Sequence, residues 1–156
     1  MKKLITSFTA IAALFTIAFA QTNVDARKKQ FNLSKNNLAI AGYDPVAYFT
    51  ENKAIEGKKE WSVINGGIVY YFSSEKNAAT FKQSPEKYEP QYGGWCAYAM
   101  GATGEKVNID PETFKILNGK LYLFYNKLFN NTLKTWNKDE VSLKQKADAS
   151  WIKFYH

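Results

Sequence analysis

Only one cysteine, Cys96, and one histidine, His156 at the last position, occur in the 156 residues, with two methionines and four prolines. A single cysteine cannot close an intramolecular disulfide, so its thiol is buried, paired with another molecule, or reactive. A lone terminal histidine leaves no Ser–His or Cys–His dyad, which excludes a hydrolase triad of the usual kind. It also leaves zinc short of the roughly four nitrogen, sulfur or carboxylate donors that such a site takes. Cys96 with Met100 is soft enough for Cu(I), but two ligands are too few. Carboxylates for acid–base work reduce to Asp44, Asp110 and Glu112 in cap or loop contexts, and Asp110-Pro111-Glu112 reads as a turn or helix start. Gly93-Gly94 alone is no phosphate loop. These absences point away from an enzyme, and the residues name no metal and no cofactor.

What is abundant is aromatic: four Trp, ten Tyr and eleven Phe, enough for a core of large rings or a ring-lined pocket. The start is distinctive too. Lys2-Lys3, the apolar run Leu4 to Phe19 and the small-x-small site Ala18-Phe19-Ala20 form a cleavable signal peptide over 1–20. Thr6, Ser7, Thr9 and Thr16 dilute that run below a membrane span. The expected product is therefore periplasmic or secreted, with no span left after cleavage. The formal charge of +7 includes Lys2 and Lys3, and the remaining surplus is spread along the chain. Arg27-Lys28-Lys29 and Lys58-Lys59 are too short for a nucleic-acid arm, so no nucleic-acid partner is expected.

Residues 21–30 are polar and read as a flexible lead-in to a single domain over 31–156. Leu38 to Ile40 begins a short strand that breaks at Gly42. Asp44-Pro45 then starts a turn of helix, with Asp44 as cap and Pro45 at the first position. Trp61 to Ile64 and Ile68 to Phe72 flank Asn65-Gly66-Gly67 as a hairpin, and Phe114 to Leu117 and Lys120 to Phe124 flank Asn118-Gly119 as a second. Ser73-Ser74 caps a helix that starts near Glu75 and carries Ala78 and Phe81 inward, and Ser84-Pro85 starts another turn through Tyr88. Trp95 to Met100 alternates as a strand that would place Cys96, Tyr98 and Met100 on one face, with a loop from Gly101 to Asn108. Leu128, Phe129, Thr132, Leu133 and Trp136 fit one helical face, and Leu143, Ala147 and Trp151 another. The expected fold class is α+β: antiparallel hairpins covered by short helices, closed by two C-terminal helices.

Ala41-Gly42-Tyr43-Asp44-Pro45-Val46-Ala47-Tyr48-Phe49, Pro90-Gln91-Tyr92-Gly93-Gly94-Trp95-Cys96-Ala97-Tyr98, Gly119-Lys120-Leu121-Tyr122-Leu123 and Ala147-Asp148-Ala149-Ser150-Trp151 occur in that order. Together they resemble the exported YHS domain-containing proteins of bacteria, from about Phe31 to Trp151. The smaller YHS domains of metal-handling proteins have cysteines in Asp-Pro-Val-Cys and Tyr-x-Phe-Cys-x-x-x-Cys patterns. Aligned on this chain, those thiol positions fall at Ala47, Ser73 and Asn77. The resemblance therefore implies the scaffold without that soft-metal ligand set.

The stretch Tyr88 to Tyr98 gathers large aromatics around the only thiol, and the candidate site is placed there. Cys96, Tyr92, Trp95 and Tyr98, with Asp44, Tyr43 and Tyr48 from the neighbouring motif, are the expected lining of a small-ligand pocket, since tyrosine can wall a cleft and still offer its hydroxyl. The expected function is an exported binding or accessory module for a small molecule or protein partner. The alternatives are a thiol redox protein using Cys96 and, more weakly, a metal-binding protein.

Overall fold

Polar as it is, the segment expected to be a flexible lead-in is helical from residue 24 to 30 (α1) and tied down at several points. Arg27 pairs with Glu89. The Trp95 indole donates to the Gln30 carbonyl at 2.6 Å, and the Gln30 amide donates to the Phe154 carbonyl at 2.6 Å. Docking through charge and backbone carbonyls, rather than an apolar stripe, leaves no trace in a hydrophobic pattern. The computed structural model describes residues 24–155, so the leader expected over 1–20 and His156 lie outside the described residues.

Next come β1 (Leu33–Ser34) and β2 (Leu38–Ala39). Ile40, Ala41 and Gly42 take φ of +51°, +52° and +90°, which ends the strand earlier than its apolar run suggests. The turn of helix α2 (Ala47–Thr50) follows Asp44-Pro45. The hairpin of β3 (Lys58–Asn65) and β4 (Ile68–Phe72) has Gly66 and Gly67 as its loop, while Asn65 ends the strand and donates to Glu89 at 2.9 Å. These strands form one sheet in the order β1-β2-β4-β3, with β2 parallel to β4 and the other pairs antiparallel. Ser74 caps α3 (Glu75–Gln83) by accepting from the Asn77 amide at 3.2 Å, and Pro85 opens α4 (Pro85–Tyr88).

Trp95 to Met100 is not a strand. Residues 97–102 form helix α5 (Ala97–Ala102), so Cys96, Tyr98 and Met100 do not share a face. Ring-rich sequence suggests β structure, but Ala97, Ala99 and Ala102 are strong helix formers. Packing against α7 (Glu140–Ile152) fixes the helix there, with Gly101 close to the Leu143 main chain. Met100 is buried in the core.

The second hairpin, β5 (Asp110–Leu117) with β6 (Lys120–Phe124), turns through Asn118 and Gly119 at φ +51° and +71°. Asp110-Pro111-Glu112 lies at the start of β5 beside a register shift, where Asp110 accepts from the Glu112 amide at 3.1 Å and the Thr113 hydroxyl at 3.0 Å. Strand β6 is the wall between two cores. Leu121 and Leu123 face one with Val46, Tyr48, Tyr70, Phe72 and Phe81, and Tyr122 and Phe124 face the other with Met100, Trp136, Leu143 and Ala147. The result is a single α+β domain. Among the described residues no helix is long and apolar enough to cross a membrane.

The expected helix from Leu128 begins later. Strands β7 (Asn126–Lys127) and β8 (Asn130–Asn131) form a tight hairpin, and helix α6 spans only Thr132–Trp136. Leu128 and Phe129 are the two-residue loop, at φ +51° and +65°. Such a loop favours Asn-Gly, and large side chains are strained there. Replacing the pair by Leu128→Asn with Phe129→Gly is expected to raise stability by about 1–2 kcal/mol, read as a higher thermal midpoint. An unchanged or lower midpoint would count against strain at the tip.

Candidate functional site

The Asp44 carboxylate is fully buried and forms no ion pair among the described residues. Hydrogen bonds take the place of a cation. Oδ1 accepts from the Val46 and Ala47 amides at 2.8 and 3.2 Å. Oδ2 accepts from the Ser73 amide at 2.8 Å, the Ser73 hydroxyl at 2.7 Å and Asn77 Nδ2 at 2.7 Å. Five donors meet a group with about four lone-pair positions, so its accepting capacity is spent inside the protein. Ala47, Ser73 and Asn77, the positions equated above with thiols, thus converge on one point around a carboxylate. This is a clamp joining α2 to the start of α3.

Cys96 lies elsewhere, where the chain enters α5. Its amide donates to the Val107 carbonyl at 2.9 Å. Its sulfur accepts from the Tyr125 amide at 3.3 Å and lies 3.5 Å from Thr132 Oγ1. The Thr132 hydroxyl donates to the Tyr125 carbonyl at 2.8 Å, which leaves the S–H to donate to Thr132. Buried itself, the thiol forms the floor of an open cavity of about 340 Å³. Tyr98, Ala99, Val107, Tyr125 and Thr132 contribute to a lining more apolar than polar, with Glu105 and Asn130 among the polar groups. The volume is within the range of small-molecule sites. The sequence left open a fully enclosed thiol or an open cavity beside it, and both features are present.

The remaining candidates do not join that cavity. Tyr48 is in the first core, donating to the Pro111 carbonyl at 2.9 Å and meeting Phe114 edge-on at 4.7 Å. Tyr43 is half-buried, its phenol pushed up by burial and by Glu112 and Glu56. Tyr92 is in the second core, with its hydroxyl 2.9 Å from Asp148, and burial and that carboxylate push its phenol up. It borders a separate cavity of about 320 Å³ with Phe31, Glu89, Asp148 and Trp151. Trp95 holds α1 through Gln30 and has the Lys106 ammonium 5.9 Å above its ring.

The stretch from Tyr88 to Tyr98 is therefore a crossing between the cores, not one ring-lined pocket. Tyr88 enters the first core and Tyr92 the second, and only Tyr98 reaches the cavity over Cys96. Gly93, at φ +59°, makes the crossing possible: a Cβ there would be 2.9 Å from the Trp151 ring and 3.1 Å from Phe31 Cα.

Sequence reasoning missed Tyr125, Asn130 and Thr132 as cavity residues, because the helix expected from Leu128 concealed the β7–β8 hairpin, which carries Asn130 and lies between Tyr125 and Thr132. The one available signal was Asn126 and Asn130-Asn131 flanking a three-residue gap, Lys127 to Phe129. Among the described residues no three of His, Cys, Asp and Glu are grouped to hold a metal ion. Compared with known proteins, the chain matches no protein-family model, no curated sequence and no solved structure.

Proposed function

We propose that the protein is an exported, YHS-type binding or accessory module that holds a small, mostly apolar molecule in the cavity over Cys96. The observation that carries this reading is the open cavity of about 340 Å³ walled by Tyr98, Tyr125 and small aliphatic side chains. Apolar walls supply affinity, and the few polar groups at the edge supply orientation. Export rests on the leader pattern, and the YHS assignment rests on the four ordered motifs. A thiol redox role is less well supported, because the sulfur has its acceptor and donor engaged by Tyr125 and Thr132. Cys96 acts here as a wall rather than a nucleophile.

The test uses phenol as probe, titrated into isotopically labelled protein and followed by amide NMR shifts. The expected result is saturable shifts confined to residues around Cys96, Val107, Tyr125 and Thr132. Ala102→Trp, at an exposed position on the cavity rim, should abolish them while leaving the rest of the spectrum in place. Scattered shifts, or shifts that survive the blocking substitution, would sink the reading.

A further inference from the structure

We propose that the β7–β8 hairpin is a membrane-contact element: Leu128 and Phe129 enter the acyl boundary of an anionic bilayer, and lysines of the same segment meet its headgroups. The tip is the first observation. Leu128 and Phe129 are 89% and 109% exposed, the two most exposed large apolar side chains among the described residues. Both sit at positive φ, in a loop closed by the Lys127↔Asn130 pair. The fold has no internal use for them: they bury nothing, strain the turn and project away from either core. A tip of this kind is suited to an apolar medium outside the protein.

Charge selects the medium. From Thr113 to Lys138 the sequence contains five lysines and no Asp or Glu. Lys115 is engaged by Glu140, whereas Lys127, Lys134 and Lys138 are exposed. A second copy seated on the tip would bring two such segments together, against their mutual repulsion. An anionic lipid surface attracts each lysine instead, and the long alkyl stems let the ammonium groups stay in the headgroup layer while the tip goes deeper. Two apolar side chains with a few lysines give reversible, salt-dependent contact rather than permanent insertion. The cavity over Cys96 opens beside this hairpin, through Asn130.

The test is made on the full chain with Phe129→Trp, mixed with phosphatidylglycerol vesicles whose acyl chains are brominated. The control is Val141→Trp, an exposed position on α7. The four native tryptophans are common to both variants, so quenching in excess of the wild-type chain reads the depth of the introduced side chain, and an N-terminal segment that merely brings the chain to the vesicle does not reproduce it. The introduced tryptophan at 129 should be quenched at least threefold more strongly than the one at 141. That difference should fall severalfold with phosphatidylcholine vesicles, or in about 1 M salt, where the Debye length is about 3 Å. Equal quenching at the two positions overturns the proposal, and so does equal quenching by neutral and anionic vesicles. A blue shift that grows with protein concentration without vesicles also overturns it, by assigning the tip to a second copy. Leu128→Asn with Phe129→Gly gives an independent check, because its turn is better formed: unchanged binding of that variant to anionic vesicles, relative to the wild-type chain, would also overturn the proposal.

Discussion

Asp44→Ala is expected to lower the stability of the domain by about 3–5 kcal/mol, a large part of the 5–15 kcal/mol typical of a small domain. Removing the carboxylate strands the Val46, Ala47 and Ser73 amides, the Ser73 hydroxyl and one Asn77 N–H. An unsatisfied buried polar group costs about 1–3 kcal/mol. Water entering the space left by the carboxylate recovers part of that, and the cost of burying a charge without a cation is relieved, so the losses do not add in full. Asp44→Asn keeps the shape but turns an N–H₂ toward donors, and should fall between alanine and wild type. Urea denaturation gives the measurement. A loss below about 1 kcal/mol for the alanine variant would show that the five bonds are replaceable by water. A ligand-binding Asp44 would behave differently: binding would fall while the denaturation midpoint held.

How much of this could be read from the sequence depended on which force shaped each element. Both glycine-turned hairpins, the cap at Ser73-Ser74 (Ser74 in the structure), the Pro85 turn and the Leu143–Ala147–Trp151 stripe were legible, because local turn chemistry and periodicity decide them. Helix α5 was not, because its register is set by contact with α7, which a window on Trp95 to Met100 does not contain. The β7–β8 hairpin was hidden for the opposite reason: Leu128 and Phe129 complete an apolar periodicity with Leu133 and Trp136 but point into solvent. Asp44 was read correctly as a cap, yet its link to Ser73 and Asn77 joins residues 29 and 33 positions away, beyond any local pattern. The rings around Cys96 dispersed because adjacent residues at a crossing between two cores point in different directions. Of the seven expected lining residues, Cys96 and Tyr98 share the cavity.

Gly101→Ala tests the contact on which that cavity depends, and its sign opposes ordinary helix propensity. In an exposed helix, exchanging glycine for alanine gains about 1 kcal/mol. Here a Cβ would be 2.3 Å from the Leu143 carbonyl oxygen and 3.0 Å from its carbon. Those atoms belong to the main chain of α7, so no side-chain rotation relieves the overlap, and the two helices have to separate. Overpacking of this kind costs about 1–3 kcal/mol, occasionally more, and a net loss of about 2 kcal/mol is expected. The displaced element is α5, which contributes Tyr98, Ala99 and Ala102 to the cavity and begins beside Cys96. Moving it off α7 loosens the sulfur from Tyr125 and Thr132. Iodoacetamide should therefore alkylate Cys96 in the folded variant much faster than in the folded wild-type chain, under conditions where both are native by circular dichroism. A stabilised variant would mean that the helices yield without cost. A destabilised variant whose thiol stays protected would separate the helix contact from the cavity, leaving Tyr125 and Thr132 alone to hold the sulfur in place.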